Sequence, residues 1–113
     1  MTLSTTETPV LDLLATMTAD SIEASSLDPE TLILVRIAAL AAVDAPAVSY
    51  LLNLGAASDI GVSADQVRGV LAAVAPIVGT ARIASATGKI GKALNVAIEI
   101  ADIEAEEEEA DSQ

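Results

Sequence analysis

Apolar residues recur along the chain at three- and four-residue spacing, and strict apolar–polar alternation is sustained nowhere. From Pro9 to Ala24, Val10, Leu13, Leu14, Met17 and Ile22 mark an amphipathic first helix. Asp28-Pro29-Glu30 has the grammar of a helix start: a capping carboxylate, a proline whose missing N–H is no loss there, and a first-turn acid. The helix it opens, Pro29 to Val43, is apolar almost all round apart from Arg36. A helix without a polar face is buried, inside the domain or between subunits. Asp44-Ala45-Pro46 repeats the start, with Asp44 as N-cap, and Gly61 ends the third helix it opens. Ser63 and Gln66, three apart, form a capping box for a fourth helix, which Pro76 and Gly79 interrupt. A final helix runs from Thr80 or Ala81 into the acidic C-terminal segment, weakened by Gly88 and Gly91. The small residues of Ala84–Gly91 mark close helix packing. The pattern predicts an all-α chain of about five helices.

Length and charge organise that pattern. The 113 residues fit one domain: an N-terminal helix over 1–26, a helical core over 27–98, and an acidic tail over 99–113 that fades from helix into disorder. Of 17 acids, eight lie from Glu99 onward; against 5 bases, the body carries −4 and the tail −8 of the net −12. Such a run is a solvated, self-repelling end or, in a sharper reading, a docking peptide for a basic partner or a loose cation binder. Its spacing is not that of a calcium loop. A helix with no polar face in so short a chain also points to self-association, because a small monomer has few elements to cover it.

Side-chain chemistry narrows the function. The chain has no Cys, no His, no Trp, no Phe and one Tyr. Without Cys there is no thiol nucleophile, redox pair or thiolate metal site. Without His there is no group that titrates near neutrality unaided, nor the commonest transition-metal ligand. No cofactor or metal is expected. Net negative charge and a single ring argue against nucleic acid, which takes cations on phosphates and rings under bases. Leu32–Val43 and Gly69–Ala81 are too short to span a bilayer and are bounded or broken by Arg36, Arg68 and Arg82. Met1 to Pro9 holds Glu7 and no base, unlike a secretory signal. A soluble, cytoplasmic protein that does not bind membranes is the expectation.

Leu27-Asp28-Pro29-Glu30-Thr31 with its apolar helix, Asn53-Leu54-Gly55-Ala56-Ala57, Gly61-Val62-Ser63, Val70 to Ala75 and Gly79-Thr80-Ala81 together resemble the carboxymuconolactone decarboxylase and AhpD-like family, over roughly residues 27–95. The resemblance implies an all-helical domain built on a helical hairpin repeat and a homo-oligomer, a trimer or hexamer. Its redox branch uses a Cys-x-x-Cys pair, a His four residues later and a Glu twelve residues before the first Cys. With the family's Gly placed at Gly61, those positions fall on Pro46 and Ser49, Asn53 and Leu34. The decarboxylase branch keeps a His where Asn53 stands. All four functional positions are replaced, so the family's chemistry does not transfer by residue.

What remains is a short set of polar residues. Ser49, Tyr50 and Asn53 share a face of the third helix by their three- and four-residue spacing. They line a small polar pocket at the family's site or, alternatively, Tyr50 and Asn53 hydrogen-bond across a helix interface. Arg36, alone among aliphatics, needs a carboxylate or main-chain carbonyls, or binds an anion. Asp44 and Asp59 are the nearby carboxylates that burial would have to raise before either acted as a base; a helix cap and a surface acid are their simpler roles. Arg82, Lys89 and Lys92 are expected to pair with acids of the tail or of a neighbouring subunit. These residues predict a non-catalytic assembly or binding protein. The alternative is an enzyme or binder for a small carboxylate or lactone, with Arg36, Tyr50 and Asn53 around a small anionic ligand.

Overall fold

Five helices, α1 (Pro9–Ala24), α2 (Pro29–Ala42), α3 (Ala47–Asp59), α4 (Ala64–Val78) and α5 (Thr80–Asp111), follow one another in a computed structural model that describes residues 8–111. The side chains of 96–101 and 109–111 lie outside that description. No strand occurs among the described residues, and none of their helices is long and apolar enough to cross a membrane.

Most helix ends have a local chemical cause. Asp28 caps α2, its carboxylate accepting from the Thr31 N–H at 2.8 Å and from the Thr31 hydroxyl at 3.0 Å. Ser63 and Gln66 close their capping box in both directions, at 3.1 and 2.8 Å. Gly61, at φ +83°, ends α3 with paired bonds from Val62 N to Ala57 O and from Gly61 N to Ser58 O.

The end of α2 departs from expectation. Asp44 is not the N-cap of α3; that position is Pro46, with no side-chain cap. Asp44 stands instead one residue past the C-cap of α2, at φ +52°, the left-handed conformation usually left to glycine. Ala45 N donates to Leu40 O at 3.0 Å and Asp44 N to Ala41 O at 3.3 Å, so the last turn is closed in the same way as at Gly61. The sequence cue is ambiguous because Asp serves at helix starts and also tolerates the left-handed region.

Pro76 likewise does not stop α4, which continues to Val78 and ends where Gly79 turns to φ +96°. Proline there leaves the Ala72 carbonyl without its helical N–H and crowds it. Because residue 76 is exposed, Pro76→Ala loses no packing. The helix penalty of proline, ~3 kcal/mol in an interior, outweighs the ~1 kcal/mol by which proline restricts the unfolded chain. Pro76→Ala is therefore expected to stabilise by about 1–2 kcal/mol, read as a rise in the urea midpoint at unchanged slope.

α2 is the central element. Its Leu32, Ile33, Ile37 and Ala41 are buried against Tyr50 and Ala57 of α3, Val67 and Leu71 of α4, and Ala86, Ile90 and Ala93 of α5. Close approach on α5 comes from Ala86 and Ala93; at Gly88 and Gly91 an added Cβ would meet nothing within 4 Å, so those two glycines are not packing contacts. α5 remains helical through Asp111, where the sequence leads to an expected fade into disorder. Alanine and glutamate are strong helix formers, which offsets the repulsion along that stretch. The other outlier is α1, in which no residue is buried. The hydrogen bonds that tie it to the body come from Arg36, whose Nη2 donates to Ser21 Oγ at 3.0 Å and to Thr18 O at 3.4 Å.

Candidate functional site

Arg36, Ser49, Tyr50 and Asn53 do not converge. Arg36 is half-buried on α2, forms no ion pair among the described residues, and spends its hydrogen bonds on α1. Asn53 turns back on its own helix, Nδ2 donating to Ser49 O at 2.9 Å rather than crossing to Tyr50. Ser49 is half-buried beside it. Tyr50 is fully buried in the core, and its hydroxyl has no hydrogen-bond partner among the described residues. Burial first, and the Asp44 charge second, push its phenol above the ordinary value.

A polar cluster that the sequence does not announce sits where α2 ends against α5. The Asp44 carboxylate accepts from Ser85 Oγ at 2.7 Å and from Lys89 Nζ at 2.8 Å. Lys89 also reaches the Asp44 carbonyl at 3.3 Å, and Arg82 Nη1 donates to Ala42 O at 2.6 Å. Two cations of α5 therefore satisfy carbonyls at the negative end of α2. Arg82 and Lys89 thus bind the body, where the sequence reading pairs them with acids of the tail or of a neighbouring subunit. Ser85 and Lys89 share a helix face by spacing, which is a legible signal; their partner lies some forty residues away in sequence, which is not.

The Asp44 carboxyl is held below its ordinary value, by the Lys89 hydrogen bond first and by Ser85 next. A carboxylate held low is a poor acceptor for a serine proton at neutral pH, so the cluster fastens helices and does not activate Ser85. Asp28 is also held low, chiefly by the Thr31 N–H. With both folded values depressed, their stabilisation is complete above the unfolded carboxylate range near pH ~4 and is lost as pH falls through the folded values. Asp44→Asn is expected to lose less stability than the parent between about pH 6 and about pH 3, measured by urea midpoints at each pH. Asp59, the other carboxylate considered as a base, is exposed at the last position of α3.

A groove of the body lies elsewhere. A groove of about 550 Å³ opens between α3, α4 and α5, and none of Arg36, Ser49, Tyr50 and Asn53 lines it. Its walls are Leu54, Val62, Val67, Leu71, Ile90 and Leu94. The polar side chains at its edge are Ser58, Ser63, Arg68 and Thr87; Ser63 sits in the capping box, Thr87 Oγ1 donates to Ile83 O at 3.0 Å, and Arg68 pairs with Asp65. A wall of this kind binds apolar surface and aligns no acid–base pair. Periodicity on α4 and α5 marks these residues as apolar, but sequence alone does not separate a groove from a filled core. Comparison with family models, with curated proteins and with solved structures finds no match.

Proposed function

We propose that this chain is a non-catalytic assembly or binding protein, a homo-oligomer on a helical frame like that of the carboxymuconolactone decarboxylase and AhpD-like family. The observation that carries it is the groove walled by Leu54, Val62, Val67, Leu71, Ile90 and Leu94, with Ser63 and Thr87 at its edge held in local bonds. Its support from sequence is a chain without sulfhydryl or imidazole groups, which leaves thiol–disulfide exchange and imidazole acid–base work without a carrier. The exposed apolar residues of α1, with Val35, Val43, Val48, Leu52 and Ile77 on the other helices, supply surface for subunit contact. Native mass spectrometry is the test: the expected result is a trimer or hexamer of the 11.4 kDa chain, with no thiol-dependent peroxide reduction by the same sample. A monomer, or peroxide turnover, removes the proposal.

A second function, binding a small carboxylate through Arg36, Tyr50 and Asn53, has one observation in its favour, the buried Tyr50 hydroxyl without a partner. A small carboxylate titrated into the protein would then shift the Tyr50 ring signals, and Arg36→Gln would abolish the shift.

A further inference from the structure

We propose that α1 is a latched arm: it opens and refolds as one unit while α2–α5 stay folded, and Arg36 is the latch. The arm needs no second copy of the chain to open. Its helix is weak by its own sequence. At 16 residues it lies close to the length at which helices without tertiary cover are marginal in water. Val10, Thr16, Thr18 and Ile22 are β-branched, and Asp20 and Ser21 compete with the backbone for hydrogen bonds. Thr8 stands at the N-cap without a side-chain cap bond; its hydroxyl donates to Asp12 at 3.2 Å instead. Asp20 and Glu23 sit near the C-terminus, the negative end of the macrodipole, and the last turn holds no base.

Packing adds little to that weak helix. No residue of α1 is buried, and the core of buried residues begins at Leu32. Leu13, Leu14 and Met17 are 60, 49 and 56% exposed, so opening the arm uncovers little apolar surface that water does not already reach. Among the described residues, the hydrogen bonds between α1 and the body are the two that Arg36 Nη2 donates, to Ser21 Oγ at 3.0 Å and to Thr18 O at 3.4 Å. No ion pair among the described residues joins them. One side chain therefore carries the attachment. α2 does not depend on α1 for its own start, because Asp28 caps it through Thr31. Unfolding of the arm thus stops at Asp28. Segments with few buried contacts open locally at far lower cost than the core.

Hydrogen exchange of the full chain, read by mass spectrometry in the dilute limit where rates no longer change with protein concentration, tests the latch apart from assembly. The expected result is exchange in α1 roughly 100-fold or more faster than in the core segments of α2 and α5. Arg36→Gln removes the latch and is expected to speed α1 by about threefold or more while the core keeps its rate. Arg36→Lys, which keeps the charge but loses the fork, replaces it if the core loosens. Glu23→Lys, at an exposed position, favours the helix end and is expected to slow α1 by roughly two- to fivefold, again without change in the core. Exchange in α1 as slow as in α2 overturns the proposal. So does an α1 rate that these substitutions leave unchanged, and so does an equal shift of arm and core, which makes them one unit. The assembly function is decided separately, by oligomer mass.

Discussion

Tyr50→Ala is expected to cost about 3–5 kcal/mol of stability, whereas Tyr50→Phe is expected to cost nothing and to add about 1 kcal/mol. The two substitutions separate the ring from its hydroxyl. The ring is fully buried and is the one aromatic side chain of the sequence. Removing it takes away the largest unit of packing on α3 and leaves a cavity. The hydroxyl gives up water on folding and finds no partner among the described residues, so its removal relieves a desolvation cost worth about 1–3 kcal/mol, less a small packing loss. Urea unfolding followed by far-UV circular dichroism measures both. A raised phenol value adds a pH signature. Because the folded value lies above the unfolded one near pH ~10, the stabilisation of the neutral phenol is complete below that pH and declines as pH rises beyond it. Alkaline destabilisation is therefore expected in the parent and reduced in Tyr50→Phe. A loss of 1 kcal/mol or more in Tyr50→Phe at neutral pH would mean that the hydroxyl has a partner in solution, and would revive the carboxylate-binding alternative.

The helices were legible because their ends are written in local chemistry. Asp28 with Pro29, Ser63 with Gln66, and Gly61 each act within one turn, and all three stand where the spacing places them. Asp44 defeats the same logic because its role is decided by φ +52° and by Ser85 and Lys89 on another helix. The candidate site was less legible for a related reason. Shared helix faces bring Ser49, Tyr50 and Asn53 near one another, yet only tertiary packing decides that the Tyr50 ring points into the core and that Arg36 reaches α1. Spacing reports which residues share a face; what covers that face depends on neighbours distant in sequence. The groove and the bare ridge of α1 are features of that second kind.

α2 carries the same distinction in energetic form. Its sequence is apolar almost all round, but the structure buries one side: Ile37 is 0% exposed and Val35 52%. Ile37→Ala is expected to cost about 2–5 kcal/mol, the transfer of three carbons plus the cavity they leave among helices that cannot fully close around it. That loss is intrinsic to the fold and so should not change with protein concentration. Val35→Ala removes less and from a wet surface, so within one chain it is expected to stay within about 0.5 kcal/mol. If subunits cover that side of α2, its cost instead grows with protein concentration, because association stabilises only the assembled form. Measuring both variants at two concentrations tells core from interface on one helix. A small cost for Ile37→Ala, below about 1 kcal/mol, would mean that α2 is not the centre of the core.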